Sequence, residues 1–271
     1  MRSYQILILI ILSGIWIWSL PILMVAAFFM IPMACLSIVV LCILGTYFQY
    51  TSDGNPMVDH WLRRFISKIP WHEWFPCNQL KIDSGIIAAH PHGILCCGTL
   101  AGIHFVPGSR TCMCIAPIVF YVPIIGIAAR YLGCIPATKK SMSIALQQGL
   151  PVLVVPGGVP EIVIAERQDD CQRFKRHGFL RLAKDCKSKV TAVFINGECS
   201  LYKMFRGPFL QARIWISWRL NIPLVFPIML GWYGSWVPKR HPLHLSYKEI
   251  LTYEPQMYDK ELEKLFTDKN E

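Results

Sequence analysis

The chain has 271 residues, 54% of them hydrophobic and only 16% charged, with a net charge of +10. A soluble domain is usually about one quarter charged, so this balance points toward membranes, and the positive excess suits an anionic surface or an anionic substrate. No recognisable nucleic-acid-binding module accompanies the basic residues, which argues against that partner class.

No charged residue stands between Arg2 and Asp53. One helix needs about 20 apolar residues to cross a bilayer, so the run is long enough for two passes. Ser19-Leu20-Pro21 is the expected break, because proline disfavours helix in the residue before it. The reading is one span near 4–20 and another near 22–44, with Pro32 inside the second and Trp16 and Trp18 at an interface. Arg2 precedes this hairpin and Arg63, Arg64 and Lys68 follow it, so both flanks are expected on the cytosolic side. A cleaved signal peptide ending near Ser19 is the alternative, but the apolar run continues beyond any plausible cleavage point. Residues 1–50 are therefore expected to form a transmembrane hairpin, and 51–271 a cytosol-facing domain.

Residues 45–80 read as a linker. After them, short apolar runs alternate with helical patterns. Gly85–Ala89, Met113–Val119, Pro151–Val155 and Val190–Ile195 read as buried strands. Ser141–Gln148 reads as a helix capped by Ser141 and stopped by Gly149. Phe179, Leu182, Ala183 and Cys186 fall at i, i+3, i+4 and i+7 on one face of another. The expected fold class is α/β, a largely parallel sheet flanked by helices. The aromatic stretch 214–237, with Trp215, Trp218, Trp232, Tyr233 and Trp236, reads as core strand plus a membrane-contacting surface. The tail from Tyr258 reads as a surface helix or a frayed end.

The eleven cysteines show no Cys-x-x-Cys pair, and several lie inside apolar runs. They read as free thiols in a reducing compartment.

Three polar motifs each follow a predicted strand: His90-Pro91-His92-Gly93, Pro156-Gly157-Gly158-Val159-Pro160-Glu161 and Asn196-Gly197-Glu198. In open α/β sheets ligands bind beyond the carboxyl ends of the strands, so parallel neighbouring strands would bring these motifs to one rim. An extended His-Pro-His would send both imidazoles to the same face. They suit a general base, because a neutral imidazole takes a proton near pH 7. A buried structural pair and a metal site with Glu161 or His104 as third ligand are the other readings. Gly157 and Gly158 can turn amides outward for an anion or oxyanion, and Glu161 can orient an imidazole. A run of basic residues that includes Arg173, Lys175, Arg176, Arg181 and Lys184 suits either a solvated face or a phosphate-rich ligand. No Gly-x-Ser-x-Gly, Walker or dinucleotide-binding loop occurs.

Taken together, Trp74-Phe75-Pro76, His90-Pro91-His92-Gly93, Gly157-Gly158-Val159-Pro160-Glu161 and Arg176-His177-Gly178-Phe179-Leu180-Arg181-Leu182-Ala183 resemble the diacylglycerol acyltransferase type 2 family, which includes monoacylglycerol and wax-ester acyltransferases. Asn196-Gly197-Glu198 is similar to that family's Phe-Gly-Glu, and Trp74 stands where it usually has tyrosine. The longer cytosolic N-terminal extension common in the family is not expected here. The resemblance implies a glycerolipid-acyltransferase-like fold in the endoplasmic-reticulum membrane, with a cytosol-facing site and an association with lipid droplets. It implies acyl-CoA as donor and an acylglycerol or long-chain alcohol as acceptor, diacylglycerol first. No cofactor or metal is then needed. The partners expected are these substrates, membrane lipids and further copies of this chain.

On that reading His90, His92 and Glu161 carry the chemistry, with His92 the preferred base. Gly93, Gly157 and Gly158 amides hold the oxyanion, Arg176 and Arg181 hold the CoA phosphates, and Glu198, Phe75 and Pro76 support the site. Lysophospholipid and glycerol-phosphate acyltransferases use His-x-x-x-x-Asp. Here Leu95 stands five residues after His90 and Cys97 five after His92, so the acid is absent. A non-catalytic lipid-binding membrane protein is the remaining alternative.

Overall fold

The computed structural model describes residues 39–40, 57–122, 125–158, 161–162, 176–204, 209–220, 229–231 and 237–267. The expected hairpin lies almost wholly outside the described residues. Among those described, no helix is long and apolar enough to cross a membrane. The chain divides into two compact units, Met1–Gly54 with Pro117–Ala129, and Asn55–Ala116 with Arg130–Glu271. The second unit carries the sheet and all three polar motifs.

Its fold is mixed α/β. Six strands form the main sheet: β1 (Ile86–His90), β2 (Cys112–Ile115), β3 (Cys134–Pro136), β4 (Val152–Val154), β5 (Val190–Asn196) and β8 (His244–Ile250), in the order β3-β2-β4-β1-β5-β8. Between β5 and β8 in the chain, β6 (Lys203–Met204) and β7 (Met229–Leu230) pair as a separate ribbon. All pairs in the main sheet are parallel except β5 with β8. Parallel strands covered on both faces need no alternation, which is why β1, β4 and β5 read as unbroken apolar runs.

Five helices bear on the sheet and its rim: α1 (Trp61–Ser67), α2 (Lys139–Gln147), α3 (Gly178–Asp185), α4 (Leu210–Leu220) and α5 (Pro255–Thr267). Alternate side chains of each strand feed two cores. Ile86, Ala88, Val152, Val190 and Ala192 pack with Met142 and Ala145 of α2, Phe179 and Leu182 of α3, and Tyr258 and Leu262 of α5. Ile87, Ala89, Leu153, Val193 and Ile195 pack on the opposite side with Cys96 and Ile103. Burial of this apolar surface is the dominant favourable term.

Several expectations shift. α2 begins at Lys139, not Ser141: Thr138 is the cap, its hydroxyl accepting from the Ser141 amide at 3.2 Å. Gly149, in the left-handed region at φ +70, ends it as expected. β2 stops at Ile115, because Pro117 opens a 3-10 turn. Residues 57–80 are not a loose linker. Val58, Ile69 and Phe75 are buried, and the buried Arg63 guanidinium donates to the carbonyls of His104 and Ser109. α4 is helical where 214–237 was expected to give a strand. Arg213 and Ser217, four residues apart, are buried, while Trp215 and Trp218 point outward. The eight described cysteines are all free thiols.

Candidate active site

β4, β1 and β5 are parallel neighbours, so their carboxyl ends and the three motifs share one rim. The chain passes to β2, β3 and β4 on one side of β1 and then to β5 on the other. That reversal is where open α/β sheets bind ligands.

The two histidines do not share a face. His90 continues the alternation of Ile86 and Ala88, is buried, and its Nε2 lies 2.9 Å from the Tyr258 hydroxyl of α5. His92 follows the end of the strand, where alternation no longer governs direction. Its Nδ1 lies 3.1 Å from the Gly93 carbonyl and 3.3 Å from Cys96 Sγ. Cys96 belongs to the opposite core. A carbonyl only accepts, so Nδ1 carries the proton and Nε2 is the accepting nitrogen, with the Cys96 thiol 3.6 Å from it. Burial pulls the His92 pKa below its usual value, which keeps the ring neutral and able to accept a proton.

Glu161 is buried, and its Oε2 accepts the backbone amide of His92 at 2.9 Å. The carboxylate was expected to orient an imidazole. The bond seen here fixes the backbone of the base instead. Gly157 makes room for it: a Cβ there would overlap the Glu161 carboxyl group. This changes the expected anion nest. The Gly158 amide is engaged with the Val155 carbonyl at 3.1 Å, and Gly157 lies against the Glu161 carboxyl group. Gly93, at φ +58 beside His92, lies in the same way against the Glu198 carboxyl group.

Glu198 is buried and holds the other side of the rim. Its two oxygens accept the Cys97 amide at 2.8 Å and the Gly98 amide at 2.7 Å. Its side chain fits because Gly93 and Gly98 lack Cβ atoms that would press on it. Burial pushes its pKa up to about 7, and the two amide bonds oppose that rise. A carboxyl whose folded pKa is raised binds more protons folded than unfolded, so stability falls as pH rises from about 4.5 through 7. Chemical denaturation should show this loss, on the order of 3 kcal/mol, between pH 4.5 and 7.5. Glu198→Gln should flatten the profile and be less stable at pH 5, since it loses one of two acceptors. A Gln variant with the same pH slope as wild type would contradict this assignment.

Phe75 packs beneath this corner with Ile94, Cys97, Leu201 and Tyr202, and the Pro76 carbonyl accepts from Leu243. Phe75 is buried and Pro76 is exposed. Arg176 stands over the Gly157-Gly158 turn, where a Cβ on Gly158 would lie 3.5 Å from Nη1, and its guanidinium is 5.7 Å from the Trp218 ring. Arg181 is exposed on α3, and no described contact brings it to the rim. His104 is remote from the metal role considered for it. It is fully buried, its Nε2 donates to the Leu132 carbonyl at 2.9 Å, and burial with the Arg63 charge pushes its pKa down to about 3. Among the described residues, no three His, Cys, Asp or Glu side chains cluster as a metal set.

Sequence reasoning missed Cys96 and Tyr258, and the contact of Trp218 with Arg176. For Tyr258 a signal existed: Tyr258, Leu262 and Leu265 fall at i, i+4 and i+7 and line the core face of α5. Cys96 gave none, since its left-handed φ of 52 sets the thiol against His92 and is invisible in a pattern of residue types.

The α/β sheet thus carries an imidazole and two buried carboxyl groups on one rim. Comparison with known proteins gives its family. The family model described as diacylglycerol acyltransferase matches residues 28–247, and the chain belongs to that family. It is similar to human 2-acylglycerol O-acyltransferase 3, at 25% identity over 63% of this chain and 54% of that one. It is similar to mouse 2-acylglycerol O-acyltransferase 1, at 25% identity over 74% of this chain and 71% of that one. It is also similar to Schizosaccharomyces pombe diacylglycerol O-acyltransferase 1, at 28% identity over 52% and 47%. The chain thus spans about half to seven tenths of the length of these curated relatives. Among solved structures, the 1-acyl-sn-glycerophosphate acyltransferase PlsC from Thermotoga maritima aligns with a TM-score of 0.45 and 15% identity over 75% of each chain.

Proposed function

We propose that the chain transfers a long-chain acyl group from acyl-CoA to the hydroxyl of a neutral lipid, most readily diacylglycerol to give triacylglycerol. The observation that carries this reading is the His92 ring. It stands on the sheet rim of a chain in this family, neutral, with its proton on Nδ1 and an Nε2 lone pair whose contact is the weak thiol donor of Cys96 at 3.6 Å.

In the proposed reaction His92 Nε2 takes the proton of the lipid hydroxyl as the oxygen attacks the thioester carbon. The Gly93 amide steadies the developing oxyanion. The C–S bond then breaks, and the CoA sulfur takes the proton back from His92. A thiol near pKa 8.5 leaves readily, so no covalent intermediate is required. Cys96 lies close enough to suggest one, but burial pushes its thiol pKa well up, and the thiol rather than the nucleophilic thiolate is present. Arg176 over the Gly158 turn is the residue assigned to the CoA phosphates. Glu161 and Glu198 hold the two ends of the His92-Gly93 loop.

Membrane attachment belongs to the same proposal. Residues 1–50 would anchor the chain in the endoplasmic reticulum as a two-pass hairpin, with the sheet facing the cytosol. On α4 the usual polarity is inverted: Arg213 and Ser217 face inward, while Trp215 is 62% and Trp218 54% exposed. Exposed tryptophans of this kind suit the headgroup layer where acylglycerols lie. Membranes carrying the chain, given labelled acyl-CoA with diacylglycerol, monoacylglycerol, fatty alcohol and lysophospholipid together, should place the label in triacylglycerol first. Label found only in free fatty acid or phospholipid would overturn the reading.

A further inference from the structure

We propose that Tyr258 is a positioning residue for the reaction centre, and that through it α5 sets the orientation of His90 and the loop that follows. The proposal rests on the acyl-transfer reading above and deepens it. It concerns a segment beyond residue 247, where the match to the family ends.

Two consecutive residues of α5 grip two separate motifs. The Tyr258 hydroxyl lies 2.9 Å from His90 Nε2, at the carboxyl end of β1. Asp259 Oδ1 accepts from His177 Nε2 at 2.9 Å, just before α3 begins. The Tyr258 ring itself is clamped. Phe179 meets it edge-on at 5.2 Å and His177 at 6.3 Å, with interplanar angles of 73° and 80°. Tyr258 and His90 are both nearly inaccessible to solvent. A buried polar pair of this kind favours one geometry, because moving either ring breaks a bond where water does not reach.

The consequence reaches His92 through the backbone. His90 is bonded to Pro91, and Pro91 to His92. A ring that engages Nε2 at one end of this tripeptide, and a Glu161 bond to the His92 amide at the other, fix the base from both sides. The Tyr258 bond also separates the roles of the two histidines. With its Nε2 facing a buried phenol, His90 does not present that nitrogen to a lipid hydroxyl. His92 does. The core-filling role of Tyr258 is carried by its ring, and the positioning role by its hydroxyl, so the two can be separated.

Tyr258→Phe keeps the ring and removes the hydroxyl. Two measurements on the full chain in membranes decide the matter. The first is kinetic: kcat should fall about 10-fold to 100-fold, as expected when a reacting group is slightly misplaced, with KM for acyl-CoA and acceptor unchanged within about twofold. The second needs no activity: the loss of thermal stability caused by Tyr258→Phe should disappear in a His90→Phe background, where the hydroxyl has no imidazole to meet. An unchanged kcat would overturn the positioning role. So would a loss of kcat accompanied by matching changes in KM and a collapse of the thermal midpoint. An equal loss of stability in both backgrounds would overturn the Tyr258–His90 tie. Wild-type membranes that transfer no acyl group would sink the functional reading alone, since the stability cycle still reports the tie.

Discussion

His92→Ala is expected to lower acyl transfer by about 100-fold to 10,000-fold, the range that general-base catalysis supplies. The melting midpoint should fall by less than a core truncation costs, because the His92 ring closes the sheet rim and is not fully covered. His90→Ala should behave differently. It leaves the Tyr258 hydroxyl buried beside a cavity and should cost stability as well as activity. The contrast separates a base from a structural partner. The pH profile adds a second check. The base must be neutral, and burial holds the His92 pKa below its ordinary 6.5. Activity should therefore persist as pH falls through 6.5 and decline only below it. An acid limb at or above pH 7, or a His92→Ala enzyme with wild-type kcat, would contradict the assignment.

Gly157→Ala carries the second large effect. The added methyl would overlap the Glu161 carboxyl group, which cannot retreat without releasing the His92 amide. Overpacking and an unsatisfied buried amide together should destabilise by about 2–4 kcal/mol. Activity should fall as far as in Glu161→Ala. Gly178 is the matched control from a neighbouring motif. A Cβ there meets nothing within 4 Å, so Gly178→Ala should leave stability equal or slightly raised. Thermal unfolding of the three variants beside wild type checks this. A well-folded, fully active Gly157→Ala protein would show that the carboxylate does not need this glycine.

The rim itself was legible because its strands are simple. Gly85–Ala89, Pro151–Val155 and Val190–Ile195 are buried on both faces and so appear as short apolar runs ending in polar motifs. β8 was not legible. His244–Ile250 lies at the sheet edge, and its mixed sequence carries neither a continuous apolar run nor clean alternation. α4 hid for a related reason: its buried residues include Arg213 and Ser217, so a search for an apolar face looks at the wrong side. The roles within the site depended on contacts across long stretches of chain. The Glu161 carboxylate reaches an amide 69 residues away, and Glu198 reaches two amides about 100 residues away. Residue type suggested a catalytic Glu161 and a supporting Glu198, and the fold shows each of them bonded to backbone amides. The His-Pro-His spacing misled because alternation ends where the strand ends.

Whether His92 couples thioester cleavage to ester formation can be read in a single assay. Labelled long-chain acyl-CoA and diacylglycerol are supplied to membranes carrying the wild-type chain, its His92→Ala variant or neither, and released CoA and new neutral lipid are counted together. One triacylglycerol should form for each CoA released by the wild type, with background levels of both in the other two. CoA release without ester, or ester formation undiminished by the loss of His92, would contradict the proposed reaction.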